Sequence, residues 1–360
     1  MVGGKRRGAS LERNSGDRLQ TKSIKVLAID GGGIRGVVPA VILGALQARL
    51  KQELWRCFDL IAGTSTGGII ALGIGTRCKG GRPYAPDELL DLYVKNGPAI
   101  FRKTPVWTWL RQFLRPKYSP DALEESLHTF FQNTRFASAL TPLLISSYDL
   151  QSQIPFLFKS HRIASDPTYD WPVASVARAT SAAPTFFPPV QLSTGKENYT
   201  LIDGGVFVNN PSVAAYAEAR WLYPQATSFV VVSVGTGDRQ DRITYHQAKS
   251  WGLVGWARQI VPVFMDSVSE AVDYELKSFP GCDYCRLQID NLPQPCAAMD
   301  NVTPENLENL QTIAEKYVEA NAAKLNEICA LLHDGRGSDL PGIGLTTTVP
   351  RSRVHPPVLV

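Results

Sequence analysis

CFDLIAGTSTGGIIALGIG, residues 57–75, decides the fold: an apolar run ends at a serine set between glycines and resumes as a helix-like apolar run. A serine where a buried strand gives way to a helix is the sequence form of a nucleophile elbow, and Ser65 is its candidate nucleophile. The turn must be sharp, so Gly63 and Gly67 are needed because a Cβ there would collide with neighbouring backbone. Amides at the start of the following helix point N–H groups toward Ser65 and favour a developing oxyanion. Taken alone, GxSxG also describes an ordinary Gly/Ser turn, so the reading needs support elsewhere in the chain.

Upstream, IKVLAID (24–30) is a nearly continuous apolar run of the kind that forms a strand buried on both faces. It leads into DGGGIRG (30–36) and then the helical pattern VVPAVILGALQARL. A glycine loop between strand and helix presents free N–H groups that bind anionic oxygen. Gly31, Gly33 and Gly36 satisfy the GxGxxG of a dinucleotide site, although Arg35 inside the loop crowds a pyrophosphate. The GK[ST] ending of a P-loop is missing. The remaining reading makes Gly31, Gly32, Gly33, Ile34, Arg35 and Gly36 an oxyanion loop serving Ser65 across adjacent parallel strands, which explains two motifs with one site.

Downstream, residues 86–98 read as a helix opened by Pro86 and stopped by Gly97–Pro98. Residues 99–118 combine aromatics with five cations and no acid, which suits either an interfacial membrane contact or aromatics packed on the domain with snorkelling cations. SPDALEESLHTFF reads as a capped helix, PLLISSYDL and IPFLF as strands, and 171–184 as a small-residue helix ended by Pro184. YTLIDGGVFVNNP (199–211) is a strand ending in Asp203, turned by Gly204 and Gly205, with Pro211 opening a helix. Its position after a core strand puts the Asp203 carboxylate at the sheet edge that holds Ser65. Residues 229–234 form another strand, 247–276 a helix, Leu287 and Ile289 a late strand, and Thr303-Pro304-Glu305 starts a helix expected to pack on the domain or on a second subunit.

With 360 residues, 44% of them hydrophobic, the chain can bury a large α/β core. A net charge of +4 suits an anionic lipid surface and falls far short of a nucleic-acid binder. The six cysteines are scattered, and no signal sequence opens the chain, which points to a reducing cytoplasm. Cys282 and Cys285 make a lone CxxC, near Cys296, with no second half to complete a zinc set. No run of uncharged apolar residues reaches spanning length, so membrane contact is expected to be peripheral.

DGGGIRG, GTSTG and DGGVFVNNP in this order, with ARATSAAPTFFPP and RPKYS (115–119), closely resemble the patatin-like phospholipases over residues 24–240. The resemblance implies an α/β fold, a three-layer sandwich with a mostly parallel central sheet and helices on both faces. It implies that Ser65 is the nucleophile and Asp203 the base of a Ser–Asp dyad with Gly31–Gly36 as oxyanion loop, acting on fatty-acyl esters of membrane phospholipids without a cofactor at the inner membrane face. Residues 1–23 read as a basic tail, 241–333 as a mainly helical extension and 334–360 as a flexible tail. The extension is similar, more loosely, to that of bacterial patatin-like enzymes activated by a cyclic dinucleotide in anti-phage defence. Two alternatives stay open: an α/β-hydrolase triad with His246, and a non-catalytic nucleotide-binding protein using the glycine loop.

Overall fold

A computed structural model describes residues 23–102, 116–239 and 243–333. Eight strands form one sheet: β1 (Ile24–Ile29), β2 (Leu60–Thr64), β3 (Leu143–Asp149), β4 (Ile154–Lys159), β5 (Val190–Ser193), β6 (Asn198–Asp203), β7 (Phe229–Val234) and β8 (Cys282–Leu287). The order is β5-β6-β3-β2-β1-β7-β8, with β4 also paired to β3. Strands β3, β2, β1, β7 and β8 run parallel, while β4 and β6 are antiparallel to β3, and β5 to β6.

Helices cover both faces, as the all-apolar strands require. Alternate strand residues separate the two cores. Leu27, Ile29, Ile61 and Ile145 face one core, shared with α1 (Val37–Leu50), α2 (Thr66–Gly75), α3 (Pro86–Ile100), α4 (Asp121–Phe131) and α5 (Val173–Thr180). Val26, Leu60, Ala62 and Leu144 face the other, against α6 (Ser212–Leu222) and α7 (Leu253–Ser278). α8 (Pro304–Ala320) and α9 (Ala322–His333) complete the first layer through Leu307, Leu310 and Leu325. The expected three-layer sandwich is therefore the observed one. Lys25, inside the apolar run of β1, is fully buried and donates its ammonium to the Leu332 carbonyl, a cation at the C-terminal end of a helix.

The register of β3 sets the site. Thr64 at the end of β2 pairs with Ser146, and Asp203 at the end of β6 pairs with the next residue, Ser147. β4 occupies one edge of β3 over these residues, so β2 and β6 share the other edge and meet end to end. Asp203 was expected at this edge from its position after a core strand, with no direction assigned to that strand. The strand is antiparallel, and its carboxyl end arrives there because it abuts the carboxyl end of β2.

Several boundaries differ from expectation. α3 continues through Pro98 to Ile100, because a proline in the last turn costs a single bond, that to the Val94 carbonyl, and Val94 is exposed to water. α5 ends at Thr180, ahead of Pro184, and the freed Ala182 carbonyl accepts the Asp203 amide at 3.0 Å. The late strand is Cys282–Leu287, and residues 247–276 divide into a short helix, Tyr245–Lys249, and α7. The helix begun at Pro304 breaks at Asn321 into α8 and α9. Gly33–Leu50 is long and apolar enough to cross a bilayer despite Arg35 and Arg49, yet 61% of it is buried as a core helix. Most of the aromatic and basic stretch 99–118, and both expected tails apart from Ser23, lie outside the described residues.

Candidate active site

Ser65 stands between β2 and α2 with φ 54° and ψ −122°, a backbone conformation that side-chain-bearing residues avoid and that holds its hydroxyl clear of both elements. The turn survives because Gly63 and Gly67 lack side chains: a Cβ on Gly63 would lie 2.2 Å from the Gly67 carbonyl oxygen, and one on Gly67 2.2 Å from that of Ile29. The strained peptide is anchored from α5, where Thr180 Oγ1 accepts the Ser65 N–H at 2.9 Å. Beside it, Ser146 Oγ donates to Thr64 Oγ1 at 2.7 Å, which donates to the Val208 carbonyl at 2.7 Å.

Asp203 is 2% exposed. Its Oδ1 accepts the Gly205 N–H at 2.7 Å, and its Oδ2 has no fully formed hydrogen bond among the described residues. Burial pushes the carboxyl up to about 7, against the pull of the nearby Ser65 hydroxyl and the Gly205 amide. No charged side chain contributes to that shift. A buried carboxylate beside a serine hydroxyl, with one oxygen uncommitted and a pKa near neutrality, is equipped to take a proton.

The glycine loop is fixed by its own bonds. The Gly31 amide donates to the Asn209 carbonyl, the Ile34 amide to that of Met299 and the Arg35 amide to that of Gly32. These three of the six candidate residues therefore do not offer their amides to a substrate. The amides of Gly32 and Gly33 have no acceptor among the described residues. Arg35 is buried; its Nη1 donates to the Gly237 carbonyl at 2.7 Å and its Nε to that of Gly32 at 3.4 Å. Because C=O and N–H of a trans peptide point to opposite sides, drawing the Gly32 carbonyl toward Arg35 turns the Gly33 N–H away from it. Arg35 thus holds the loop and does not reach out to a lipid phosphate.

An apolar cavity, open to solvent, has Ser65 and Asp203 in its wall. Leu92, Phe101, Leu127 and Phe187 line it from the helical layer, and Met265 and Met299 from the C-terminal extension. The methionines carried no sequence signal. Neither did Arg286 on β8, whose guanidinium pairs with the buried Asp30 Oδ2 at 2.6 Å and donates to Ser233 Oγ at 2.8 Å, bracing the residue that precedes the loop.

The rival constellations do not assemble. His246 lies on the exposed short helix, ring against ring with Tyr245, and no described histidine bonds to Asp203, so no Ser–Asp–His triad forms among the described residues. His161 is instead held by Glu218 at 2.9 Å. Asn209, Thr236 and Met299 pack against the loop, with atoms within 2.4 Å of where a Cβ on Gly31, Gly32 or Gly33 would sit, so each of these positions requires glycine. Cys282 and Cys285 are three apart on one strand, project to opposite cores and cannot share an ion. Among the described residues no group of three or more His, Cys, Asp or Glu is placed to hold a metal.

The family profile described as patatin-like phospholipase matches residues 27–216. Patatin-like protein 2 of Arabidopsis thaliana is 31% identical over 344 residues, covering 84% of this chain and 84% of its own length. Patatin-like protein 1 of Oryza sativa subsp. indica is 32% identical over 362 residues, with 89% and 86% covered, and Patatin-17 of Solanum cardiophyllum 31% over 336, with 84% and 86%. These alignments cover more of the chain than residues 24–240 alone, so part of the C-terminal extension is shared with plant proteins.

Proposed function

Since the chain belongs to the patatin-like phospholipase family, and is by that membership a hydrolase of lipid esters, we propose that it cleaves fatty-acyl esters of glycerophospholipids through a Ser65–Asp203 dyad. The observation that carries the reading is the end-to-end meeting of β2 and β6 on β3, which brings one hydroxyl and one buried carboxylate together with no imidazole between them.

In this mechanism the acyl chain lies in the apolar cavity. Ser65 Oγ forms a bond to the ester carbonyl carbon as its proton passes to Asp203 Oδ2. The carbonyl oxygen takes the electron pair and is held by the Gly32 and Gly33 N–H groups. Collapse breaks the bond to the alcohol oxygen, which receives the proton from Asp203 and leaves as lysolipid. Water then repeats the sequence on the acyl-enzyme, giving up its proton to Asp203 and releasing the fatty acid and Ser65. A carboxyl pKa near 7 suits both directions of transfer at neutral pH.

Lipid-product mass spectrometry on mixed phospholipid vesicles is expected to show fatty acid and lysolipid with the parent protein. Ser65→Ala and Asp203→Ala should each lower turnover by about four orders of magnitude. A fluorophosphonate probe should label the parent and not Ser65→Ala. Retention of most activity by Asp203→Ala ends the dyad. Control by a cyclic dinucleotide is a separate part of the proposal, resting on the loose likeness of the extension: it requires low basal turnover raised by one such nucleotide, and equal turnover across a panel of them overturns it.

A further inference from the structure

Six of the eight exposed large apolar side chains among the described residues fall between 243 and 274: Ile243, Tyr245, Leu253, Trp256, Phe264 and Tyr274. Singly scattered apolar residues call for no explanation, but a concentration of this kind marks a surface that meets something. Leu253 is 88% exposed, Phe264 55% and Trp256 45%. With Tyr274 they fall within about 80° of one another around α7 at 3.6 residues per turn. Met265, Ser269, Val272 and Leu276 are buried on the opposite side. α7 therefore carries an apolar stripe that the rest of the described chain leaves uncovered.

We propose that this stripe docks the protein on the surface of a lipid aggregate. The inference rests on the reading of the chain as a lipid acyl hydrolase and adds where the lipid surface is met. Three observations select this occupant. First, the helix that carries the stripe also walls the cavity with its inner face. Met265, adjacent to Phe264, lines the cavity and would lie 3.0 Å from a Cβ on Gly205, in the turn that carries Asp203. At 1.5 Å rise per residue, the helix from Leu253 reaches the cavity wall in about 18 Å.

Second, the chemistry is that of an interface. Residues 243–256 hold Lys249 and no carboxylate. Trp251 and Trp256 meet edge to face at 5.2 Å, and Lys249 Nζ lies 5.9 Å from the Tyr245 ring. Aromatic rings flanked by cations sit at headgroup depth, with the cations on phosphates. Third, a hydrolase of lipid esters draws its substrate from an aggregate, and an apolar helix that also walls the cavity brings the two close together.

The test uses the full chain with Leu253, Trp256 and Phe264 all changed to serine. These side chains are exposed and outside the dyad, so hydrolysis of a soluble ester such as p-nitrophenyl butyrate should stay within about twofold of the parent. Co-sedimentation with vesicles of phosphatidylcholine and phosphatidylglycerol, and hydrolysis of those vesicles, should each fall by about tenfold or more. Unchanged vesicle partition overturns the proposal. So does a parent dimer that the changes split into monomers without altering vesicle binding, since the stripe would then be a contact between copies. A parent that binds vesicles through the stripe and cleaves neither substrate would leave the docking surface standing and remove the hydrolase reading. Phosphatidylcholine vesicles alone separate the apolar contribution from that of Lys249.

Discussion

Asp203, the base of the proposed dyad, is held at a cost to the fold. Its carboxyl is raised to about 7 by burial alone, so the folded state binds that proton more tightly than the unfolded chain does. The associated stability is fully present below the unfolded carboxylate pKa and is lost as pH rises through about 7. Asp203→Asn removes the charge and keeps the shape, and should unfold at higher temperature than the parent above pH 7, by on the order of 4 kcal/mol, with the gap closing toward pH 4. The same titration predicts that kcat/KM of the parent rises with pH through about 7 with no histidine-dependent limb, and His246→Ala leaves the profile unchanged. Ser65 and Asp203 were legible in the sequence because the glycines around them are local signals of sharp turns. Thr180, Asn209 and Met299 were not, because their parts are played by one hydroxyl and two backbone carbonyls brought from distant positions, and no residue type announces that.

At the scale of elements, apolar runs announce the strands and helices but not where they stop. Pro98 was expected to end α3 and Pro184 to end α5, whereas α3 runs past Pro98, which forfeits only the bond to the Val94 carbonyl, and α5 stops at Thr180, with the Asp203 amide claiming the Ala182 carbonyl ahead of Pro184. The β5–β6 pairing and the antiparallel direction of β6 left no periodic trace in a mostly parallel protein. One consequence is testable at the junction of α5 and the elbow. Thr180→Val preserves packing and leaves the Ser65 N–H buried without its acceptor, a loss of about 1–3 kcal/mol in stability. With the elbow less well held, kcat should fall by about tenfold or more, and Thr180→Ser should keep both properties near the parent. Equal kinetics in Thr180→Val and the parent would show that the turn holds itself.

Across the whole molecule, the C-terminal extension helps to build the candidate site. Sequence resemblance located the chemistry within residues 24–240, yet Met299 accepts the Ile34 amide and Arg286 neutralises Asp30. Burial raises the Asp30 carboxyl and Arg286 opposes the rise. Arg286→Met strands that carboxylate and should cost about 3–5 kcal/mol in thermal unfolding, much of it regained in Asp30→Asn/Arg286→Met. Additive losses in the double variant would mean the two groups do not act as a pair.

β3 acts as a rail on which two strand ends are butted. Because neighbouring residues of that one strand carry Thr64 and Asp203, a twist or breathing of the sheet moves acid and alcohol as one body. Their spacing is set on that one strand and not by the length of chain between them, so an insertion or deletion in the intervening stretch should leave hydroxyl and carboxylate in place.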